Sequence, residues 1–94
     1  KRRIIMKIKV KPMYGNSNRS VPNQYQIITP KGVYFQSYNS IIAYKPYYGK
    51  TELDEHYWDY SRTTGKYRNM FLNEYIDETR EKIKSGKYKL TNLN

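Results

Sequence analysis

Apolar and polar positions change rhythm twice along the chain. Met6, Ile8 and Val10 alternate with Lys7, Lys9 and Lys11. A period of two predicts a strand with one buried face and one lysine-bearing face. Pro12 is expected to end it. Residues 12–24, with Gly15, three Asn and Pro22, then read as a loop. Tyr25 to Thr29 and Val33 to Ser37 are two further strands. Between them Pro30-Lys31-Gly32 forms a turn, the proline fixing φ and the glycine free to take positive φ. Ile41 to Lys45 is a fourth strand after a turn at Tyr38-Asn39-Ser40. Pro46 to Lys50 is a loop, and Thr51-Glu52-Leu53 a short edge strand.

From about residue 59 the period lengthens. Asp59 or Ser61 can cap a helix by accepting from its free first-turn amides. On a 3.6-residue period Thr63, Tyr67, Met70 and Phe71 share an inward side, with Arg62, Lys66 and Asn69 outward. A break follows near Asn73. A second helix is expected from about Glu74 to Ser85, with Ile76, Thr79 and Ile83 inward. Asp77 and Glu78 near its start and Lys82 and Lys84 near its end suit the helix dipole. Gly86 is its C-terminal cap candidate, and Tyr88 and Leu90 can pack back as an extended segment. Strands first and helices second predict an α+β domain: an antiparallel sheet of about four strands with two C-terminal helices packed on it. The 94 residues fit one domain, with a β half at 1–54 and a helical half at 55–94.

Charge sharpens this division. The formal net charge is +10. Residues 1–50 hold ten Lys or Arg and no acid, whereas residues 51–94 hold eight of each sign. One-sided charge draws polyanions. With no cysteine, disulfide scaffolds and thiolate metal sites are excluded. No apolar run approaches the roughly 18 residues of a membrane span. The charged start at Lys1-Arg2-Arg3 is followed by too short an apolar stretch for a signal peptide. The expected location is therefore the cytoplasm of a bacterial host cell. Usage rich in Lys, Asn, Ile and Tyr is what AT-rich coding DNA produces, which points to a low-GC bacterium or one of its phages.

Two motifs carry a resemblance. They are Phe35-Gln36-Ser37-Tyr38-Asn39-Ser40-Ile41-Ile42-Ala43 and the run from Tyr57-Trp58-Asp59-Tyr60 through Ser61-Arg62-Thr63-Thr64-Gly65 to Lys66-Tyr67-Arg68. Over roughly residues 19–93 the chain resembles a family of small uncharacterised proteins of phages and prophages of low-GC bacteria. The resemblance implies that context and no activity, and it leaves out the basic strand at residues 1–11.

Catalytic chemistry finds little support. The single histidine, His56, lies in Asp54-Glu55-His56-Tyr57-Trp58-Asp59, where three acids and an imidazole have the donor types of a divalent-metal site. Acids at a strand-to-helix junction also serve the helix N-terminus, and that reading is preferred. No nucleophile turn or phosphate-cradling glycine loop is present. Neither catalysis, metal nor cofactor is expected. Trp58, with Tyr57 and Tyr60, is read as a core anchor, with base stacking as the alternative. Tyr47 and Tyr48, in a Pro/Gly loop beside Lys45 and Lys50, suit contact with bases and phosphates together. Arg62 and Lys66 offer a helix face that could enter a groove, and Gly65 between them costs about 1 kcal/mol of helix propensity. The expected binding set is therefore Lys7, Lys9, Lys11, Arg19, Lys31, Lys45, Tyr47, Tyr48 and Lys50, with Arg62 and Lys66. The expected partner is a nucleic acid, DNA ahead of RNA. The alternative is an acidic or nucleic-acid-handling host protein, met by a phage-encoded interaction module or inhibitor; a virion component is a third reading.

Overall fold

The computed structural model of the chain describes residues 7–15 and 17–94. Its strands are β1 (Lys9–Tyr14), β2 (Ser20–Ile28), β3 (Gly32–Ser37), β4 (Ser40–Pro46), β5 (Glu52–Asp54) and β6 (Lys89–Thr91). Two helices, α1 (Arg62–Leu72) and α2 (Ile76–Lys84), lie between β5 and β6. The protein is α+β, and its sheet has six strands in sequence order. All neighbours are antiparallel except β5 and β6, which are parallel. The expected four-stranded antiparallel sheet is thus corrected to a mixed one. The two helices form the crossover that a parallel pair requires. This places Thr51 to Asp54 inside the sheet and moves the edge to β6. Among the described residues, no helix is long and apolar enough to cross a membrane.

Phe35, Ala43 and Leu53 are paired across β3, β4 and β5 and are fully buried on the helix-covered face. Phe71 of α1 stacks on Phe35 at 5.6 Å. Tyr67, Leu72 and Ile42 complete the cluster. Each large apolar side chain so buried stabilises the fold by about 1.5–3 kcal/mol. On the opposite face Val10, Ile27, Tyr34 and Tyr44 form one cross-strand row. Tyr34 and Tyr44 stack there at 4.2 Å.

The first strand departs from expectation. Met6 lies outside the described residues. Ile8 and Val10 are 58% and 61% exposed, and the buried residue of β1 is Met13. Alternation identified a strand, but β1 is the outermost of the sheet, and among the described residues Ile8 and Val10 stay exposed there. Pro12 does not end it. An outer strand tolerates proline, because one row of its amides has no ladder partner to lose. The 12–24 loop shrinks to a short connection, because β2 begins at Ser20. Between Pro12↔Tyr25 and Tyr14↔Ser20 the register slips, and this bulge absorbs Pro22 and the left-handed Asn23.

Ser61 caps α1, its Oγ accepting from the Thr64 amide at 3.1 Å. Tyr67 and Phe71 face inward as expected, whereas Thr63 and Met70 are exposed and Thr64, Arg68 and Leu72 are buried. The left-handed Asn73 ends α1. The second helix starts at Ile76, two residues later than expected, with Thr79 fully buried. Gly86, at φ 84°, follows its end as a capping glycine would.

Candidate nucleic-acid interface

One end of the sheet gathers most of the expected binding residues. The turn after β2 is fixed by Thr29, whose Oγ1 accepts from the amides of Lys31 and Gly32 and donates to the Gly32 carbonyl. The Tyr47 amide donates to the Lys31 carbonyl at 3.0 Å, which ties the β4–β5 loop to this turn. Gly32 is needed here for close approach and not for its φ. A Cβ on it would lie 2.5 Å from the Lys45 carbonyl oxygen and 2.7 Å from Pro46 Cα. Tyr48 is 94% exposed and Tyr47 is 54% exposed. With Pro30, Lys31, Tyr44 and Pro46 they line a depression of about 430 Å³. Burial, helped by Tyr34, Glu52 and Tyr47, raises the Tyr44 pKa, so its phenol stays protonated and neutral near pH 7.

Lys50 lies in the same loop and is exposed, as is Lys31. Lys9 pairs with Ile28, close to the turn, and Lys11 with Gln26 one step further along. Lys7 precedes β1 and is exposed. From β1 to β4 is three strand spacings, ~14 Å, or about four base-pair rises of a duplex. By register Lys9 and Lys11 lie on the face opposite the Val10–Tyr44 row, so Lys31 is the cation placed with the two exposed rings, and the lysines of β1 extend the positive charge around the sheet edge.

Three of the expected residues fall elsewhere. Arg19 is exposed at the far end of the β1–β2 hairpin, where its carbonyl accepts from the Gly15 amide. Arg62 and Lys66 are exposed on α1, whose first turn is fastened to the other end of β3 by Ser37 and Thr64 at 3.0 Å.

Lys45 is turned away from the interface. Its Nζ donates to the Phe71 carbonyl at 2.7 Å and lies 4.3 Å from the Phe71 ring centroid. Burial lowers its pKa. Since α1 has no basic residue in its last turn, Lys45 supplies from the sheet the cation that this helix end lacks.

The acidic junction is structural in its hydrogen bonding. Burial alone would raise the Asp54 pKa, but bonds from Leu93, Asn94, His56 and Tyr57 outweigh it and lower it. Both carboxylate oxygens are occupied by these donors. His56 is exposed, 3.9 Å from Glu55. Trp58 is half-buried against the core with the Arg68 guanidinium 5.3 Å from its ring.

A further group was not legible in the sequence. Arg80 and Tyr75 join Arg62 and Lys66 along a groove between α1 and α2. Helical periodicity sorts residues within one helix and does not say which residues of two helices meet.

The fold and this surface define a small α+β protein with a basic, tyrosine-bearing sheet end. The chain belongs to a family of unknown function, DUF8033, whose model matches residues 8–88. That match includes β1. No curated protein and no solved structure matches the chain.

Proposed function

We propose that the protein is a non-enzymatic nucleic-acid-binding accessory protein of a phage or other mobile element, acting in the cytoplasm of a bacterial host, with DNA preferred to RNA. The observation that carries this reading is the meeting of Lys31, Tyr47 and Tyr48 at one end of the sheet, in the half of the chain that has no acids. Lys50, in the same loop, neutralises a phosphate beside them, Lys7, Lys9 and Lys11 meet phosphates along the outer strand, and Arg19 reaches a more distant one. Tyr48 supplies a stacking surface for a base, which is tolerant of sequence because every base has a π-face. Titrating labelled duplex DNA, single-stranded DNA and RNA at two salt concentrations tests this. DNA binding that weakens at the higher salt supports it, and no binding to any of the three at the lower salt overturns it.

A second reading is favoured by a different observation. Ile8, just before the outer strand β1, and Val10 within it are exposed, and among the described residues β1 pairs on one side only. An unpaired strand edge with apolar side chains suits addition of a partner's strand. The protein is then an interaction module that docks on an acidic or nucleic-acid-handling host protein. Capture of a stoichiometric protein partner from nuclease-treated host lysate, with no affinity for DNA, would favour this reading over the first.

A further inference from the structure

The charge-neutral half of the sequence is not neutral in space. Asp77, Glu78 and Glu81 line one depression of α2 together with Lys82 and Lys87, so that its charges nearly cancel. A separate groove of about 790 Å³ between α1 and α2 has four cations, Arg62, Lys66, Arg68 and Arg80, against one carboxylate, Asp59.

Arg68 is only 1% exposed. Its Nη1 donates to the Trp58 carbonyl at 2.8 Å and to Asp59 at 3.1 Å, and its Nη2 donates to Asn69 at 2.9 Å. Its buried Nε has no partner among the described residues. The guanidinium is thus fixed and desolvated. Its one counter-charge, Asp59, is 42% exposed and is shared with Arg80 at 3.7 Å. A buried cation neutralised so incompletely leaves positive potential in the groove.

Two local choices oppose the fold's own preferences. Arg62 stands in the first turn of α1, where the helix dipole disfavours a cation, and that turn has no acid. Gly65 weakens the helix, yet a Cβ there would meet nothing closer than Arg68 Nη2 at 3.6 Å, an ordinary contact. Packing does not require this glycine. A bare backbone lets a ligand come close to α1 between Arg62 and Lys66. At the rim Tyr75 is 78% exposed and offers a ring face.

We propose that the α1–α2 groove binds a phosphate ester carrying an aromatic base, with Arg62, Lys66 and Arg80 on the phosphate and Tyr75 stacked on the base. Taken with the nucleic-acid reading, on which only the strand-borne source of this ligand rests, the groove holds an unpaired nucleotide of a strand whose backbone crosses the basic sheet. A free nucleotide has the same chemistry. The site is distinct from the Lys31–Tyr48 cluster, because α1 begins at the opposite end of β3.

The test is a titration of the full isotopically labelled chain with a short single-stranded oligonucleotide, with a nucleoside monophosphate and with inorganic phosphate, followed by NMR. The expected result is shifts of the Gly65 and Lys66 amides and of the Arg80 side chain. The oligonucleotide should saturate at the lowest concentration and inorganic phosphate at the highest. Gly65→Ala should raise the melting temperature and yet weaken oligonucleotide binding about tenfold, which a merely structural glycine would not do. If the oligonucleotide binds but shifts only residues around Lys31 and Tyr48, the groove proposal is overturned and the nucleic-acid reading stands. If the monophosphate shifts the groove and the oligonucleotide does not bind, the groove stands as a nucleotide site and the strand-borne source of its ligand falls. Shifts in the groove from none of the three, or no preference for the monophosphate over inorganic phosphate, overturn the proposal.

Discussion

Glu74 is the residue whose removal should loosen the helical layer most. It precedes α2 and is 8% exposed. Its Oε2 accepts from Thr79 Oγ1 at 2.6 Å, and its Oε1 accepts from Lys82 Nζ at 2.6 Å and from the Tyr88 hydroxyl at 2.8 Å. One carboxylate thus ties the start of α2, its later turns and the lead into β6. Glu74→Ala takes the carboxylate from three donors, and Thr79 Oγ1 keeps only its long contact to the Tyr75 carbonyl at 3.4 Å. Thr79 is fully buried, so its hydroxyl bears a desolvation cost of about 1–3 kcal/mol. Tyr88 is half-buried and Lys82 about one third exposed, so both can turn to water and add less. A loss of about 2–4 kcal/mol follows, out of roughly 5–14 kcal/mol for a domain of this size. At about 4–8 °C per kcal/mol the melting temperature should fall by about 8–32 °C. Glu74→Gln should cost less, because the Thr79 hydroxyl can reverse and accept from the amide.

The pH dependence is a second signature of the same residue. Burial alone would raise the Glu74 pKa, but the bonds from Lys82, Thr79 and Tyr88 outweigh it and hold the carboxyl below its ordinary value. Near the ordinary value the unfolded chain therefore binds more protons than the folded one. The stability from Glu74 is present above the ordinary carboxyl value of 4.5 and is lost as pH falls through the lower folded value. Thermal melts from neutral pH into this acid range should show a shallower acid loss in Glu74→Gln than in the wild type. The slope that remains is partly that of Asp54, which is shifted the same way. A Glu74→Ala melting temperature within about 2 °C of wild type would refute the reasoning.

Other substitutions separate architecture from binding. Gly32→Ala should lower the urea midpoint by the equivalent of about 1–3 kcal/mol, because the new methyl meets backbone atoms of β4 that cannot yield cheaply. Gln24 is fully buried, and neither of its amide atoms has a partner among the described residues. Gln24→Met should therefore stabilise the fold by about 1–2 kcal/mol in a calorimetric melt, and a destabilised variant would show that the amide is satisfied after all. In a DNA-binding titration well below the melting temperature, Lys45→Met should bind like wild type, whereas Lys31→Met combined with Tyr48→Ala should bind at least about tenfold more weakly.

The parts of the fold that depend on near neighbours were legible in the sequence. Ser61 and Gly86 mark helix ends by chemistry local to the turn. The β3–β4 hairpin follows from two strand-like runs about the short turn at Tyr38-Asn39-Ser40, of which Ser40 already belongs to β4. What was not legible depends on distant partners. Nothing near Leu53 signals that Leu90 will pair beside it in parallel, because the pairing is closed by two intervening helices. Alternation at Ile8 and Val10 gives a strand's period without saying whether a layer lies against either face. Nothing local singles out Arg68 as buried, since its burial depends on the Trp58 carbonyl and Asp59 folding back over α1. Lys45 looks like another surface lysine until the end of α1 is placed above it. The exposed sheet-end residues were found because charge asymmetry is a property of the sequence itself, whereas the α1–α2 groove is a property of packing.

The central claim is that exposed cations of the acid-free half meet phosphates. Among the described residues six of them, Lys7, Lys9, Lys11, Arg19, Lys31 and Lys50, remain exposed once Lys45 is assigned to the helix end. The most direct measurement is the affinity for duplex DNA as monovalent salt rises from about 50 to about 300 mM. Six phosphate contacts predict a slope of log affinity against log salt of about −5, reduced by about 1 for each of these cations removed. A slope near zero, or one unchanged when Lys9, Lys31 and Lys50 are replaced together, would contradict the account.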